Sequence, residues 1–177
     1  FYEFNLEVPR LSDSSDIIPI TISEKLFKKD ELKSSMVISL SGQFRSYNKL
    51  IDGKSKLMLT VFVRELNEVD TTKNPNTINL KGFLCKEPVF RTTPFKREIT
   101  DILLAVNRSY NKSDYIPCIA WGRNARFVKN LSVGEKITVS GRIQSREYQK
   151  RISDTEIKVL TAYEVSVSKL AVNDNSL

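Results

Sequence analysis

The chain has 177 residues, 40% of them hydrophobic and 28% charged, a balance typical of a folded globular protein. No apolar run approaches the roughly 20 residues that cross a bilayer, so no membrane partner is predicted. Two cysteines and no histidine predict neither a disulfide framework nor a metal site, and this fits a reducing cytoplasm. We therefore predict no cofactor, no metal ligand and no catalytic residue.

The net charge of +7 is concentrated in one half of the chain. Residues 1–72 hold 10 Lys and Arg against 11 Asp and Glu, a net charge of −1, whereas residues 73–177 hold 18 against 10, a net charge of +8. A basic balance confined to one half predicts that this half has a polyanion as its partner.

From its first residues, the chain follows a pattern that recurs later. The stretch 4–10 returns at 102–108, a shift of 98 residues. The ordered matches that follow are Asp16 with Asp114, Ile18 with Ile116, Pro19 with Pro117, Leu32 with Leu131, Gly42 with Gly141, Ser46 with Ser145, Val61 with Val165, Val63 with Val167, and Leu66 with Leu170. Such an ordered series predicts a tandem duplication.

The two predicted copies differ at their starts. The second has an opening segment, residues 76–98, that the first lacks, so we expect the first copy to be missing its first strand and the chain to start internally at Phe1. Between the copies, residues 71–76 are polar and include Pro75, which is typical of a linker. The predicted domains are 1–70 and 77–172, followed by a short polar tail, 173–177.

Within the second copy, apolar residues alternate in a way that predicts five strands. The residues predicted to share one face of each strand are Ile78 and Leu80, then Ile102, Leu104 and Val106, then Ile116, Cys118 and Ala120, then Ile137, Val139, Gly141 and Ile143, and lastly Val165 and Val167. Residues 124–131 form the one convincing short helix, between the third and fourth strands. The predicted fold class is all-β: two tandem OB folds, each a five-stranded Greek-key barrel with one such helix.

Aromatic and basic residues share the opposite faces of two of these strands. On the third strand they are Tyr115 and Trp121, with Pro117 and Ile119; on the fourth they are Arg142, Gln144, Arg146 and Tyr148; Tyr110 lies in a nearby loop beside Arg108 and Lys112. Rings interleaved with cations suit single-stranded nucleic acid, because bases stack on the rings for about 1–3 kcal/mol each while cations neutralise phosphates. A single ring of this kind is more often explained by core or cross-strand packing, and Tyr and Trp also pack at protein interfaces.

Four stretches of the second copy resemble bacterial single-stranded DNA-binding proteins: 79–88, 104–108, 114–122 and 141–148. The resemblance places base-stacking rings at Tyr110, Tyr115, Trp121 and Tyr148, and phosphate-contacting cations at Arg91, Arg108, Arg123, Arg142 and Arg146. It implies sequence-independent coating of single strands in replication, repair and recombination, with partner proteins from those processes, in the cytoplasm at the nucleoid. It also implies four OB folds around a strand, hence a homodimer.

Two departures from the family limit what the resemblance implies. In the first copy the four ring positions are Ser12, Ile17, Ser23 and Lys49, and only Tyr47 near Arg45 offers a substitute. We therefore expect the first copy to have a degenerate DNA face and to serve assembly. In the second copy, residues 95–97 stand where the family has a glycine turn, which predicts an altered loop there.

Three alternatives remain open from the sequence. The chain could be an OB-fold adaptor for replication restart with mainly protein ligands, or it could bind single-stranded RNA, since stacking does not distinguish the sugars. An enzyme is a weaker alternative, because the nearby acids Asp154 and Glu156 fall in a hairpin loop where a solvated pair is ordinary.

Overall fold

The computed structural model describes residues 1–172, and the predicted tail 173–177 lies outside the described residues. The chain divides into two compact units, Phe1–Pro75 and a second that begins at Asn76. Asn76 is fixed to the second unit, because its side-chain amide donates to the Ile143 carbonyl at 2.7 Å and accepts from the Ile143 N–H at 2.9 Å.

The first unit is one four-stranded sheet. Its strands are β1 (Tyr2–Pro9), β2 (Ser15–Ile22), β3 (Ser39–Ile51) and β4 (Lys54–Asn67), in the order β1-β2-β4-β3. The β2–β4 pair is parallel and the others are antiparallel. Ile20, Val61 and Phe44 lie side by side across three strands and are all buried, so they mark the core side of the sheet.

The second unit closes into a ring of strands. Its elements are β5 (Ile78–Leu84), β6 (Val89–Thr92), β7 (Glu98–Arg108), β8 (Lys112–Trp121), α1 (Gly122–Val128), β9 (Lys136–Arg151) and β10 (Ile157–Val172). The sheet order is β5-β9-β10-β8-β7-β6, and β5 also pairs with β7. That additional pairing closes five strands into a barrel, with β6 attached outside the ring as a hairpin partner of β7.

The register of both sheets follows the alignment of the two sequence copies. In the second unit, Cys118 pairs with Val165 and Val165 with Ile143. In the first unit, Ile20 pairs with Val61, which also pairs with Phe44. In the alignment of the two copies, Cys118 matches Ile20, Val165 matches Val61 and Ile143 matches Phe44. Residues that match in sequence therefore occupy equivalent places in the two sheets.

Gly42 and Gly141 are a second equivalent pair, and each lies where a neighbouring strand comes too close for a side chain. A Cβ added to Gly42 would lie 2.1 Å from the carbonyl oxygen of Phe62. One added to Gly141 would lie 1.9 Å from that of Ser166. Both strand pairs also have a bulge nearby, between Ser41 and Gly42 in the first and between Val167 and Lys169 in the second.

The helix prediction holds in the second unit and is wrong in the first. In the second unit, α1 is held by Ala125 and Val128, three residues apart and both fully buried. The first unit has only a three-residue 3-10 turn, Lys29–Glu31. The counterpart of Val128 there is Lys29 or Asp30, so the segment lacks the apolar pair that would fix a helix against the sheet.

The number of strands differs between the two units. In residues 1–75 the structure has four strands, with no counterpart of β5 among them, and the sequence analysis expected a first copy without its first strand. The second unit has six strands where five were predicted, because residues 89–92 of its opening segment pair with β7.

Candidate nucleic-acid interface

One row of paired residues defines the outward side of the second sheet. Asp101, Ile119, Ser166 and Arg142 lie side by side on β7, β8, β10 and β9. The neighbouring row, Ile102, Cys118, Val165 and Ile143, is buried and belongs to the core. Because strand residues alternate between faces, residues two and four positions from the first row lie on its side. We call this outward side of β6, β7, β8, β10 and β9 the second-unit face.

Three of the four predicted rings belong to this face. Tyr115 and Trp121 lie on β8 and Tyr148 lies on β9, with Tyr115 43% and Tyr148 37% exposed. Tyr110 lies in the 3-10 turn Ser109–Asn111 between β7 and β8, where it has a φ of 64° and is 95% exposed. Tyr115 and Tyr148 are therefore exposed rings on the sheet itself, and Tyr110 is an exposed ring in a turn.

Trp121 is the most constrained ring of the four. Its indole Nε1 donates to Ser166 Oγ at 3.1 Å, which fixes the ring against β10. The guanidinium carbon of Arg97 lies 4.6 Å from the ring centroid, a cation–π contact. Arg97 comes from the β6–β7 turn, which the sequence analysis treated only as an altered loop. Its role beside Trp121 was missed, since no local pattern links the two residues.

The five predicted arginines have different surroundings. Arg91 Nε lies 3.0 Å from Asp101 Oδ2, and Arg108 Nε lies 2.9 Å from Asp114 Oδ2, although its N–H is not aligned for a hydrogen bond. Arg142 donates to Gln144 Oε1 at 3.0 Å, Arg146 pairs with Glu164, and Arg123 is exposed on α1. Three of the five therefore already have a carboxylate partner, which reduces the positive charge they present to a ligand.

Glu164, which the sequence analysis did not single out, lies at the centre of this network. It is 5% exposed, and its carboxylate accepts from Gln144 Nε2 at 2.7 Å and from Arg146 Nη2 at 3.0 Å. The hydrogen bond to Glu164 raises the pKa of Arg146 above its ordinary value. The alternation of β10 would have revealed Glu164, because it lies two residues before Ser166 on the same face.

Two residues predicted to be outward are buried. Ile119 is 2% exposed and Gln144 is 5% exposed, although both lie on the outward side. Ile119 lies in the middle of the sheet, flanked by Asp101 and Ser166. Gln144 is covered where it bonds to Glu164 and Arg142. Alternation gives the side of a strand, whereas neighbouring strands decide how much solvent reaches it.

Within residues 1–172, no cluster of three or more His, Cys, Asp or Glu side chains has a metal-binding arrangement. No helix in that part of the chain is long and apolar enough to cross a membrane. The predicted interface consists of aromatic rings, arginines and the buried hydrogen-bond network of Glu164 and Gln144.

The closed five-stranded ring with one short helix between its third and fourth strands makes the second unit an OB fold. The profile of the single-strand binding protein family matches residues 75–172, more than half of the chain. The chain belongs to this family.

Known relatives agree with this assignment. Single-stranded DNA-binding protein 1 of Staphylococcus aureus (strain COL) is 38% identical over 93 residues, which cover 46% of this chain and 56% of the relative. Single-stranded DNA-binding protein A of Bacillus subtilis (strain 168) is 35% identical over 94 residues, covering 47% and 55%. The chain spans about half the length of the curated relatives it matches.

A solved structure resembles the whole chain. The wild-type single-stranded DNA binding protein from Thermus aquaticus matches with a TM-score of 0.74 over 99% of this chain and 82% of that one. The sequence identity is 18%, so the likeness concerns the fold alone.

Proposed function

We propose that the chain binds single-stranded DNA without strong sequence preference and protects it during replication, repair and recombination, by binding alone and without catalysis. The observation that supports this most is the row Asp101–Ile119–Ser166–Arg142. Through it, the rings of β8 and the arginines and ring of β9 share one sheet face. Free base faces can stack on such a surface, whereas a double helix offers none along its length.

In this proposal, bases stack on Tyr110, Tyr115, Trp121 and Tyr148, and phosphates contact Arg91, Arg108, Arg123, Arg142 and Arg146. Arg97, which lies over Trp121, joins them as a sixth cation. A base that stacks on that side of the indole displaces the guanidinium, which then becomes available to the adjacent phosphate. Because Arg91, Arg108 and Arg146 each lie beside a carboxylate, they contribute less to affinity than Arg97.

We further propose that both units are OB folds, with domains at 1–70 and 77–172 joined by a linker at 71–76, in a cytoplasmic, nucleoid-associated protein. If four OB folds surround one strand, two chains form a homodimer, with replication or repair proteins as further partners. Size-exclusion chromatography with light scattering would give a mass near 41 kDa for the dimer, twice the 20.3 kDa of one chain. A mass equal to one chain would contradict the homodimer.

The first test uses Trp121, the single tryptophan. Titration with oligo(dT) should quench its fluorescence, and rising salt should weaken binding, since phosphate contacts release counterions. Arg142→Gln should reduce affinity and flatten the salt dependence, and Tyr148→Ala should reduce affinity about tenfold. Arg151→Gln, at an exposed cation on the opposite side of β9, is the matched control and should behave as wild type.

Other outcomes separate the alternatives. Equal competition by oligo(rU) would identify a general single-strand binder that accepts RNA. If Trp121 fluorescence stays constant and the Tyr148 and Arg142 variants bind as wild type, the face serves a protein partner and the adaptor alternative holds.

A further inference from the structure

The first unit leaves unfilled the place that β5 occupies in the second unit. β5 pairs with β9 from Ile78 to Phe83 and with β7 at Phe83 and Leu84, so it joins two strands of its sheet. The counterparts of β9 and β7 in the first unit are β3 and β1. Among residues 1–75, β1 pairs with β2 alone and β3 with β4 alone. Each therefore has an edge whose backbone N–H and C=O groups can pair with a further strand.

Apolar residues beside this place are less buried than their counterparts in the second unit. Leu104 on β7 and Val139 on β9 are both 0% exposed. The matching residues of the first unit, Leu6 on β1 and Leu40 on β3, are partly exposed. Val37, just before β3, is 76% exposed. The first unit thus has an apolar site with unpaired edges where the second unit has a closed core.

The missing helix of the first unit does not account for this exposure. In the second unit, α1 packs mainly on β7 and β8 and less on β10. Val139 lies on β9 and pairs with Leu80 of β5. Moreover, β9 begins at Lys136, within the stretch that pairs with β5, whereas β3 begins only at Ser39, two residues later in the alignment. A strand at the place of β5 is therefore what the first unit lacks.

We propose that the first unit binds an extended segment of a partner protein, which lies antiparallel to β1 and β3 at the place of β5. β5 itself indicates the chemistry of that segment. Leu80 and Leu84 are buried, and Gly82 between them lies so close to β7 that an added Cβ would be 2.6 Å from the Ala105 carbonyl oxygen. The partner segment therefore has an apolar residue, a glycine and a second apolar residue at alternate positions.

The outward side of β1 favours a basic residue in the partner segment. Glu3 and Glu7 are exposed and lie four residues apart on β1, so they share one side of the strand. Glu7 is the counterpart of Ala105, which pairs with Phe83 of β5. A lysine two residues before that position, as Lys81 is in β5, lies diagonal to Glu7, within reach of an ion pair. An acidic segment would be repelled there.

This inference goes beyond the proposed function, because its ligand is a polypeptide and its site lies at the edges of a sheet. It also gives the expected assembly role of the first copy a definite site. Adding a strand to a sheet edge is a common mode of peptide recognition, in which backbone hydrogen bonds supply affinity and alternate side chains supply specificity.

The test uses the full chain and a fluorescent peptide with the sequence of residues 76–84. Fluorescence anisotropy should show binding, and a Gly82→Val peptide should bind about tenfold more weakly or worse, since its side chain meets the β1 backbone. Hydrogen exchange should slow in segments 4–8 and 36–43 when the peptide binds. Protection of 136–141 alone would mean that the peptide displaces β5, and this would overturn the inference.

Disulfide trapping checks the register of the bound peptide. In the second unit, Ser140 Oγ donates to Asn79 Oδ1 at 2.7 Å, and Ser41 is the counterpart of Ser140. In a Cys85→Ala chain, Ser41→Cys should therefore form a disulfide with an Asn79→Cys peptide. Ser55→Cys, at an exposed position near the far end of the β3–β4 hairpin, is the matched control and should stay unlinked.

The remaining outcomes contradict the inference. Equal binding of the Gly82→Val peptide would show that the peptide does not lie against β1. Absence of binding would also overturn the inference. If segments 4–8 and 36–43 then exchange slowly without peptide, a second copy or another part of the same chain occupies the site. None of these measurements includes DNA, so the proposed function is tested separately.

Discussion

Arg146 donates to Glu164 across β9 and β10, with Nη2 3.0 Å from Oε1, and the acceptor carboxylate is 5% exposed. A negative charge is thus built into the middle of a face that is proposed to bind a polyanion. It orients Arg146 and Gln144, but it also opposes the phosphates that Arg146 would contact. Glu164 therefore holds the side chains of this face in place but lowers its affinity for phosphate.

Glu164→Gln should strengthen binding of oligo(dT) and make its salt dependence steeper by about one unit in the log–log slope, because Arg146 gains a full charge for phosphate. The free energy of unfolding should fall by about 1 kcal/mol, as charge-assisted hydrogen bonds become neutral ones. Fluorescence titration at several salt concentrations and urea denaturation measure the two effects. Glu147→Gln, on the opposite side of β9, is the control, and weaker binding by Glu164→Gln would contradict the argument.

The two units contain equivalent ion pairs, and we predict that their acids stabilise the fold. Asp16 accepts from Arg10 at 2.6 and 3.0 Å, and Asp114 lies 2.9 Å from Arg108, with the two acids 1% and 3% exposed. Asp16→Asn and Asp114→Asn should each lower the free energy of unfolding by about 1.5–3 kcal/mol in urea denaturation. Asp101→Asn removes an exposed pair and should cost under about 1 kcal/mol. Equal losses at all three would refute the role of burial.

Gly42 and Gly141 should resist replacement in the same way. A Cβ at either would meet a backbone carbonyl within 2.1 Å, so Gly42→Ala and Gly141→Ala should each lower the free energy of unfolding by about 2–3 kcal/mol or more. Gly53, with a φ of 77° and no atom within 4 Å of its added Cβ, is the control. Gly53→Asn should stay within about 0.5 kcal/mol of wild type, since Asn tolerates this conformation. A wild-type melting temperature for Gly141→Ala would contradict the close approach.

Cys118 should make the free energy of unfolding depend on pH in the alkaline range. Burial, followed by the nearby Glu164, raises the pKa of its thiol well above the ordinary value of 9.0. The native thiol therefore stays protonated while the unfolded one ionises, and the free energy of unfolding falls as pH rises above 9, by up to about 1.4 kcal/mol per pH unit.

The measurement is urea denaturation at pH 8, 9 and 10 for wild type and Cys118→Ala. The substitution should remove most of the slope between pH 9 and 10. The pKa values of Tyr2 and Tyr47 are also raised by burial, but their ordinary value is 10.0, so they act mainly above this range. Partial burial also raises the pKa of the Cys85 thiol from 9.0, but this thiol is exposed, so Cys85→Ala should keep the larger part of the slope. An unchanged slope in Cys118→Ala would show that other groups cause it.

Much of the molecule follows from local periodicity in the sequence. The alternation around Ile116, Cys118 and Ala120 correctly separated the core side of β8, and the shift of 98 residues aligned positions that prove equivalent in register. The same parity identified Tyr115, Trp121 and Tyr148 as members of one face. These features depend only on the side of its own strand to which each side chain points. That side follows from the sequence, because side chains alternate along a strand with a period of two residues.

The sequence alone determined the repeated pattern, the strand faces, the helix of the second copy and the segregation of charge. Only the tertiary structure decided that Glu164 and Gln144 are buried, that Arg97 covers Trp121, and that the first unit lacks the helix. The physical reason is that these features depend on pairing between segments tens of residues apart. Exposure and ion pairing belong to the assembled sheet, in which each side chain meets neighbours that its own strand does not specify.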